Sequence, residues 1–323
     1  MKIGAAPASP LRVLIPNNHG MKYILDHPLL VGVPYDPVQR PTEAQRSAPV
    51  IVVDMTDVDI TRRFIDGLND LRLIQTLSAG VEHWDGQVPP GIALANASGA
   101  HGAGVAEWVV AILLNHYRQL PGFAADQAAR RWVWHPTSTL IGKRVAILGA
   151  GDLGRSTKRV LEAFDCPVTL YGRTARENIR AFADFSAHSD RYDIVVVALP
   201  DTPDTRQLAD AEFLKSLRDG VVLVNIGRGT AIDTNALMAA TAAGRITALL
   251  DVTDPEPLPA EHPLWTAAGV TLTPHVAGSI PDVWDRAWHT VLSNLDAWTS
   301  GDELKNVVSL RSTLEQQSRE WSK

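Results

Sequence analysis

An α/β protein with two doubly wound parallel sheets is the fold class this sequence predicts, and three observations carry that expectation. Short apolar runs alternate with stretches of helical character along the chain, the rhythm of parallel β-α units. The runs at 50–54 (VIVVD), 194–199 (IVVVAL) and 221–226 (VVLVNI) are continuous rather than alternating, as strands buried on both faces require. Another, at 145–148, runs directly into Gly149-Ala150-Gly151-Asp152-Leu153-Gly154, a G-x-G-x-x-G turn between strand and helix. With 323 residues the chain has room for two domains with separate cores.

Taken in order, residues 12–16 (RVLIP) read as the first strand, 20–27 as a helix and Pro34-Tyr35-Asp36-Pro37 as a turn. Residues 50–54 form the next strand, 61–68 a helix, and 71–77 (LRLIQTL) a strand entering the loop Ser78-Ala79-Gly80-Val81. Backbone N–H groups beside Gly80 make that loop a candidate small-anion cradle, with a plain turn as the alternative. Residues 92–96 add a short strand. Residues 105–120 form a helix whose apolar face is too broad for a simple surface helix; it is expected where two domains meet, and Pro121-Gly122 interrupts it. A Trp-rich segment, 131–136, leads to the central unit. Beyond residue 174 come strands at 194–199, 221–226, 248–252 and 270–273, helices at 211–217 and 235–243, and a last long helix over 282–300. No polar linker breaks the chain, so it is expected to cross between domains at hinges near 99–102 and 277–281, with the last helix returning to the first domain.

The segment 142–174 narrows the ligand. The strand at 145–148, the glycine turn, a helix over 155–164 and a strand at 168–171 make a βαβ unit of the length that binds dinucleotides. The three glycines have separate tasks: a tight turn, close approach of a pyrophosphate, and close packing of helix on strand. Free N–H groups and the dipole at the helix start favour the anion. Where a carboxylate would grip the ribose 2′-hydroxyl of NAD stands Gly172, followed by Arg173 and Thr174. A guanidinium beside a hydroxyl suits a 2′-phosphate, so NADP is the expected cofactor and NAD the alternative. A surface arginine in a glycine turn is the plainer reading of Arg173.

Composition excludes several classes. Hydrophobic content of 45% with 20% charged residues is ordinary for a soluble globular protein. A formal charge of −6 argues against a nucleic-acid partner, which would need a basic face. A single cysteine, Cys166, excludes an intrachain disulfide framework and a multi-cysteine metal site; it is expected in the core, and no metal is expected. The first residues lack the apolar region of a signal peptide, and no stretch approaches the ~20 apolar residues that span a bilayer. A cytoplasmic enzyme acting on a small molecule, with no membrane partner, is the resulting expectation.

Three polar residues follow three successive apolar strands: Arg228, Glu256 and His275. Ligands of open parallel sheets bind beyond the carboxyl ends of the strands, so all three are expected to face the cleft that receives the nicotinamide. Taken singly, each has a bland explanation as an ion-paired, surface or packed residue; their recurrence at matching strand ends is what points to chemistry. Hydride transfer to a 2-oxo acid leaves negative charge on the carbonyl oxygen, and histidine suits the proton donor near neutral pH. A carboxylate on its other ring nitrogen would orient the ring. An arginine fork would hold the substrate carboxylate and polarise the carbonyl. Trp84 and His135 are candidate pocket neighbours, each more simply read as structural.

These residues carry a resemblance. Asn225-Ile226-Gly227-Arg228-Gly229, Leu250-Asp251-Val252 leading to Glu256-Pro257-Leu258, and Thr273-Pro274-His275-Val276-Ala277-Gly278 resemble the D-isomer-specific 2-hydroxyacid dehydrogenase family. The likeness extends through 78–81, Val105-Ala106-Glu107, Leu199-Pro200-Asp201-Thr202-Pro203 and the 294–306 stretch. It implies Arg228 as carboxylate binder, Glu256 as the partner of histidine, His275 as proton donor, and the backbone of Ser78, Ala79, Gly80 and Val81 as the carboxylate cradle. It implies cofactor contacts at Leu153, Gly154, Leu199, Pro200, Thr205, Ile226, Gly227, Asp251 and Gly278, besides Gly149, Gly151, Asp152, Arg173 and Thr174. The implied architecture is a Rossmann dinucleotide-binding domain (101–280) inserted in a flavodoxin-like substrate domain (1–100 and 281–323), commonly as a homodimer. Gly172-Arg173 departs from the acid at the strand end, as in members resembling NADPH-dependent glyoxylate/hydroxypyruvate reductases. Ser279-Ile280-Pro281 after His275 is also unusual. The expected activity is NADPH-dependent reduction of a small 2-oxo acid such as glyoxylate or hydroxypyruvate. Alternatives are a dehydrogenase of bulkier 2-hydroxy acids, or a dinucleotide-sensing corepressor-like protein of the same fold; a methyltransferase would need an acid where Arg173 stands.

Overall fold

The computed structural model describes residues 10–308. These residues form two compact units, one from 10–100 with 281–308 and one from 101–280. The first begins with β1 (Leu11–Ile15), α1 (Asn18–Ile24), β2 (Leu30–Pro34), α2 (Glu43–Arg46), β3 (Val50–Val53), α3 (Val58–Ile65), β4 (Leu73–Thr76) and β5 (Ala93–Ala95). Its sheet is parallel, in the order β2-β1-β3-β4-β5. β3 and β4 lie inside the sheet and are buried along their whole length, which explains the unbroken apolar run of β3. The strand β2 falls where the sequence suggested only a turn at its end. It is an edge strand with one buried residue, and an edge tolerates both Gly32 and the terminal Pro34 that mask it in the sequence.

The second unit contains α4 (Gly102–Tyr117), α5 (Leu120–Ala128), β6 (Val145–Leu148), α6 (Asp152–Glu162), β7 (Val168–Gly172), β8 (Ile179–Ala181), β9 (Ile194–Val197), α7 (Ala211–Ser216), β10 (Val221–Asn225), α8 (Thr234–Ala242), β11 (Ile246–Leu250) and β12 (Val270–Leu272). Its parallel sheet runs β12-β11-β10-β9-β6-β7-β8. The chain therefore builds outward from β6 to β8, then restarts on the other side of β6 with β9. The strand order reverses at β6/β9, the position where open α/β sheets bind ligands. Pro121 does not simply break a helix. It sits in the first turn of α5, where its missing N–H costs no hydrogen bond, and Gln119 at φ 53° makes the corner before it. The breadth of the apolar face of α4 is used within this unit: Val105, Val109 and Leu113 pack with Val145, Ile147 and Leu161. Cys166 is buried in the same core.

The helix α9 (Val283–Thr299) belongs to the first unit. Ala287, Trp288, Val291, Leu295 and Trp298 pack on Leu11, Val13, Ile15 and Val50, covering one face of the first sheet. At its start Lys22, His19 and the Tyr23 hydroxyl converge on Asp285, and bonds from Tyr23 and then Lys22 pull that carboxyl down to about 2. Near its end Asn294, fully buried, donates to Gln75 Oε1 (2.8 Å) and to the Lys305 carbonyl (3.0 Å), and accepts from the Lys305 N–H (2.9 Å). That clamp lays the following segment along β5, where Val308 N–H donates to the Leu94 carbonyl at 2.8 Å. Among the described residues no helix is long and apolar enough to cross a membrane.

Asn294→Ala would strand the amide oxygen of Gln75 and both backbone groups of Lys305. The expected cost is about 2–4 kcal/mol of unfolding free energy, measured by urea denaturation. A loss below about 0.5 kcal/mol would mean that the clamp is dispensable.

Candidate active site

In the second unit Gly149 takes φ 118°, and a Cβ there would overlap the carbonyl oxygen of Ala198 on the neighbouring strand end. A Cβ on Gly154 would overlap the carbonyl of Gly149, so helix α6 packs tightly under the turn. At Gly151, which caps α6 without a side chain, a Cβ would meet nothing within 4 Å. The first N–H groups of α6 have no intrahelical partners. A tight turn, an open approach and a helix start are together what a pyrophosphate needs, so these residues fit a dinucleotide. Asp152 opens the helix with its carboxylate oxygens 2.6 and 2.7 Å from where a Gly102 Cβ would lie, and Leu153 packs against the core. Arg173 and Thr174 follow β7 at once, both exposed.

The ends of β9 and β10 meet closely: a Cβ on Gly227 would overlap the Leu199 carbonyl oxygen. Pro200 is exposed, and its carbonyl accepts from Thr205 Oγ1 at 2.6 Å; Thr205 Oγ1 in turn accepts from the Thr202 N–H at 2.9 Å. The Thr205 hydroxyl thus shapes the loop after β9. Ile226 is buried. Asn225, buried at the end of β10, accepts from the Gly227 N–H (3.1 Å) and donates to the Arg228 carbonyl (3.0 Å), closing the loop that carries Arg228. The Arg228 guanidinium donates from Nη1 to the Gly227 carbonyl at 2.8 Å.

Beyond β11 and β12 the expected pair is in contact: His275 Nδ1 lies 2.5 Å from Glu256 Oε1, with side chains 48% and 39% exposed. An ionised carboxylate only accepts, so Nδ1 carries the proton of this bond and Nε2 remains for a substrate. His275 has φ 54°, a left-handed conformation that costs a non-glycine residue roughly 1–2 kcal/mol. Asp251 holds it there. This carboxylate is 3% exposed; Oδ1 accepts from Thr273 Oγ1 (2.6 Å) and Val276 N–H (2.9 Å), Oδ2 from Ala277 N–H (2.9 Å), and its carbonyl from His275 N–H (2.8 Å). The loop 273–277 is wrapped around one buried acid. Sequence reasoning named Asp251 as a cofactor contact and missed this task. It also missed Asn225 and His101. His101 is a half-buried residue whose pKa burial lowers, with Asp152 opposing and Arg228 and His275 reinforcing the shift. A polar residue at the end of an apolar run was the signal available for the first two.

In the first unit the loop after β4 has its carbonyls engaged: Ser78 accepts from Thr76 Oγ1 (2.8 Å), Ala79 from Asn96 Nδ2 (2.7 Å), Gly80 from Ser78 Oγ (2.8 Å) and Val81 from Trp84 N–H (2.9 Å). Among the described residues, no acceptor is found for the N–H groups of Ala79, Gly80 and Val81, the pattern of an anion cradle. Leu77, just before it, lines a cavity of about 570 Å³ with Asn17, His19, Met55 and Trp284. Trp84 is buried core, and His135 stacks on Phe123 at 4.8 Å; neither lines this cavity. Among the described residues no cluster of His, Cys, Asp or Glu could hold a metal ion.

A sequence model of the D-isomer specific 2-hydroxyacid dehydrogenase family, NAD binding domain, matches residues 110–277. The chain is 32% identical over 259 residues to glyoxylate/hydroxypyruvate reductase A of Photorhabdus laumondii, covering 75% of this chain and 81% of that protein. A D-isomer specific 2-hydroxyacid dehydrogenase of Xanthobacter autotrophicus Py2, solved with NADPH and MES, superposes with a TM-score of 0.78 at 27% identity over 95% of this chain and 100% of that one. The NADPH-dependent glyoxylate/hydroxypyruvate reductase SmGhrA of Sinorhizobium meliloti, solved with NADP and sulfate, gives 0.75 at 27% identity, over 93% and 98%.

Asp251→Ala would free three donors in a buried loop, and the expected cost is about 3 kcal/mol or more. Hydrogen exchange should show the amides of Val276 and Ala277 losing protection while those of β6 keep it. Unchanged protection of the two loop amides would remove Asp251 as the organiser of this loop.

Proposed function

The chain belongs to the D-isomer specific 2-hydroxyacid dehydrogenase family, an oxidoreductase family, and we propose that it reduces a small 2-oxo acid, glyoxylate or hydroxypyruvate, with NADPH. The observation that carries this reading is the 2.5 Å bond between His275 and Glu256, at strand ends of the sheet that also bears the glycine turn. We assign residues 101–280 to the cofactor and residues 1–100 with 281–323 to the substrate; 1–9 and 309–323 lie outside the described residues.

When bound, the dihydronicotinamide supplies a hydride to the carbonyl carbon of the 2-oxo acid. His275, protonated on both ring nitrogens, gives the Nε2 proton to the carbonyl oxygen, and the product is the 2-hydroxy acid, the D-isomer where the carbon becomes a stereocentre. Glu256 keeps the ring oriented and stabilises the imidazolium before transfer. Arg228 pairs with the substrate carboxylate and draws electron density from the carbonyl. In the first unit, the backbone of Ser78, Ala79, Gly80 and Val81 is assigned to binding a substrate carboxylate. For the cofactor, Arg173 and Thr174 hold the 2′-phosphate; the absence of a carboxylate at Gly172 supports this, as do the NADPH and NADP bound to the two structural relatives.

A homodimer and a cytoplasmic location complete the proposal. For the first, the support is the family pattern together with Trp132 and Trp134, 99% and 84% exposed on the segment after α5, which a second copy would cover. For the second, it is the single cysteine, Cys166, buried and unpaired, which fits a reducing compartment.

Initial rates with a series of 2-oxo acids from glyoxylate to phenylpyruvate, each with NADPH and NADH, test the whole reading. Turnover of the smallest members with NADPH is expected, and no turnover with any member would point to a dinucleotide-sensing binding protein of the same fold. Arg173→Ala should raise KM for NADPH far more than KM for NADH; equal changes would sink the 2′-phosphate assignment. His275→Ala should lower kcat by at least about 10²-fold while NADPH still binds, and near-normal turnover would exclude it as the proton donor.

A further inference from the structure

We propose that His101 is a cofactor-binding residue, its imidazole hydrogen-bonding the nicotinamide-riboside half of a bound dinucleotide; the proposal rests on the cofactor reading given above. His101 immediately precedes α4, and its side chain makes no capping bond to that helix. Its Nδ1 is buried and has no hydrogen-bond partner among the described residues. A neutral imidazole carries one donor and one acceptor nitrogen, and burying either unpaired costs stability with nothing returned. Such orphaned groups in a folded protein call for an explanation, and a ligand that completes them is one.

The position of the ring selects the ligand. The Asp152 carboxylate reaches His101 electrostatically from the start of α6, and Arg228 and His275 reach it from the loops after β10 and β12. Gly278, three residues after His275, faces the ring: a Cβ there would lie 3.3 Å from His101 Cδ2 and 3.6 Å from its Cβ. The neighbouring Gly102 lies against Asp152 and Ser156 of α6. His101 is thus set between the helix start that fits a pyrophosphate and the loop that carries the proposed proton donor. The adenosine end, by contrast, belongs to Gly172–Thr174 at the end of β7. Only the nicotinamide half joins the two neighbourhoods of His101.

Among the described residues no bond to Nδ1 fixes the ring orientation. A half-turn about Cβ–Cγ exchanges Nδ1 with Cδ2, the edge now facing Gly278, and presents a nitrogen on the side of the loop that carries Gly278. Burial, which keeps the imidazole neutral, preserves one donor and one acceptor for the carboxamide or ribose hydroxyls.

Two variants and one spectrum test this without turnover. His101→Phe keeps the ring and removes both nitrogens, whereas His101→Asn keeps a polar group close to the position of Nδ1. Titrating NADPH fluorescence with no 2-oxo acid present, we expect Phe to weaken Kd about tenfold and Asn to stay within about threefold of wild type. In ¹⁵N-histidine spectra of the wild type, assigned by loss of the signal in the Asn variant, the His101 ring nitrogens should shift on adding NADPH. Phe binding within about twofold of wild type would overturn the proposal, as would unshifted ring signals should the Phe variant not fold. If the wild type bound neither NADPH nor NADH, the cofactor reading would fail with it; wild-type binding that Phe leaves undiminished defeats only the role of His101.

Discussion

The buried carboxylate of Asp251 is the constraint on which the second unit's chemistry depends. It sits at the end of β11 and gathers three donors from the loop after β12, so the ends of two adjacent strands are tied through one side chain. The tie holds His275 in a left-handed backbone conformation that an isolated histidine would leave. Hydrogen bonds to a charged group contribute roughly 1.5–3 kcal/mol each, which exceeds the conformational cost. With the backbone fixed, the imidazole has little freedom except rotation about its own side-chain bonds, and Glu256 removes part of that.

The same sheet shows why the glycine turn and the polar loops belong to one face. All seven strands of the second unit are parallel, so every loop that follows a strand emerges at one edge. The turn after β6 lies at the strand-order reversal, where neighbouring connections diverge and leave space. The loops after β9, β10, β11 and β12 lie on one side of that point, the loop after β7 on the other. A long ligand crossing the reversal would meet Arg173 and Thr174 at one end and the loops of Arg228, Glu256 and His275 at the other.

Much of this architecture was legible because parallel strands buried on both faces leave continuous apolar runs. The inner strands β3, β6, β9 and β10 were readable for that reason. The edge strands β2 and β8 were not: each buries a single residue, so neither needs an apolar run. Among site residues, the glycines and the Arg228, Glu256 and His275 set could be named from type and position after a strand. The roles of Asp251 and Asn225 could not, since they are set by bonds to loops distant or irregular in sequence. His101 gave no signal at all; a histidine before a helix acquires meaning only when the folded chain sets Gly278 against its ring and brings Asp152, Arg228 and His275 within electrostatic reach.

Two carboxylates serve one histidine here, and their surroundings separate their tasks. Asp251 is buried and both its oxygens are held by loop donors, so it is fixed together with the loop that it organises. Glu256 is 39% exposed, takes the imidazole on one oxygen, and has on the other a long, 3.4 Å contact to the Thr253 N–H. A carboxylate so loosely held can follow the ring as its charge changes, at little cost to the fold. Solvent also screens the pair in this conformation, which weakens its attraction; exclusion of water by a bound substrate would strengthen it when the imidazolium must be stabilised. The buried acid therefore fixes where the histidine stands, and the exposed one responds to what the histidine does.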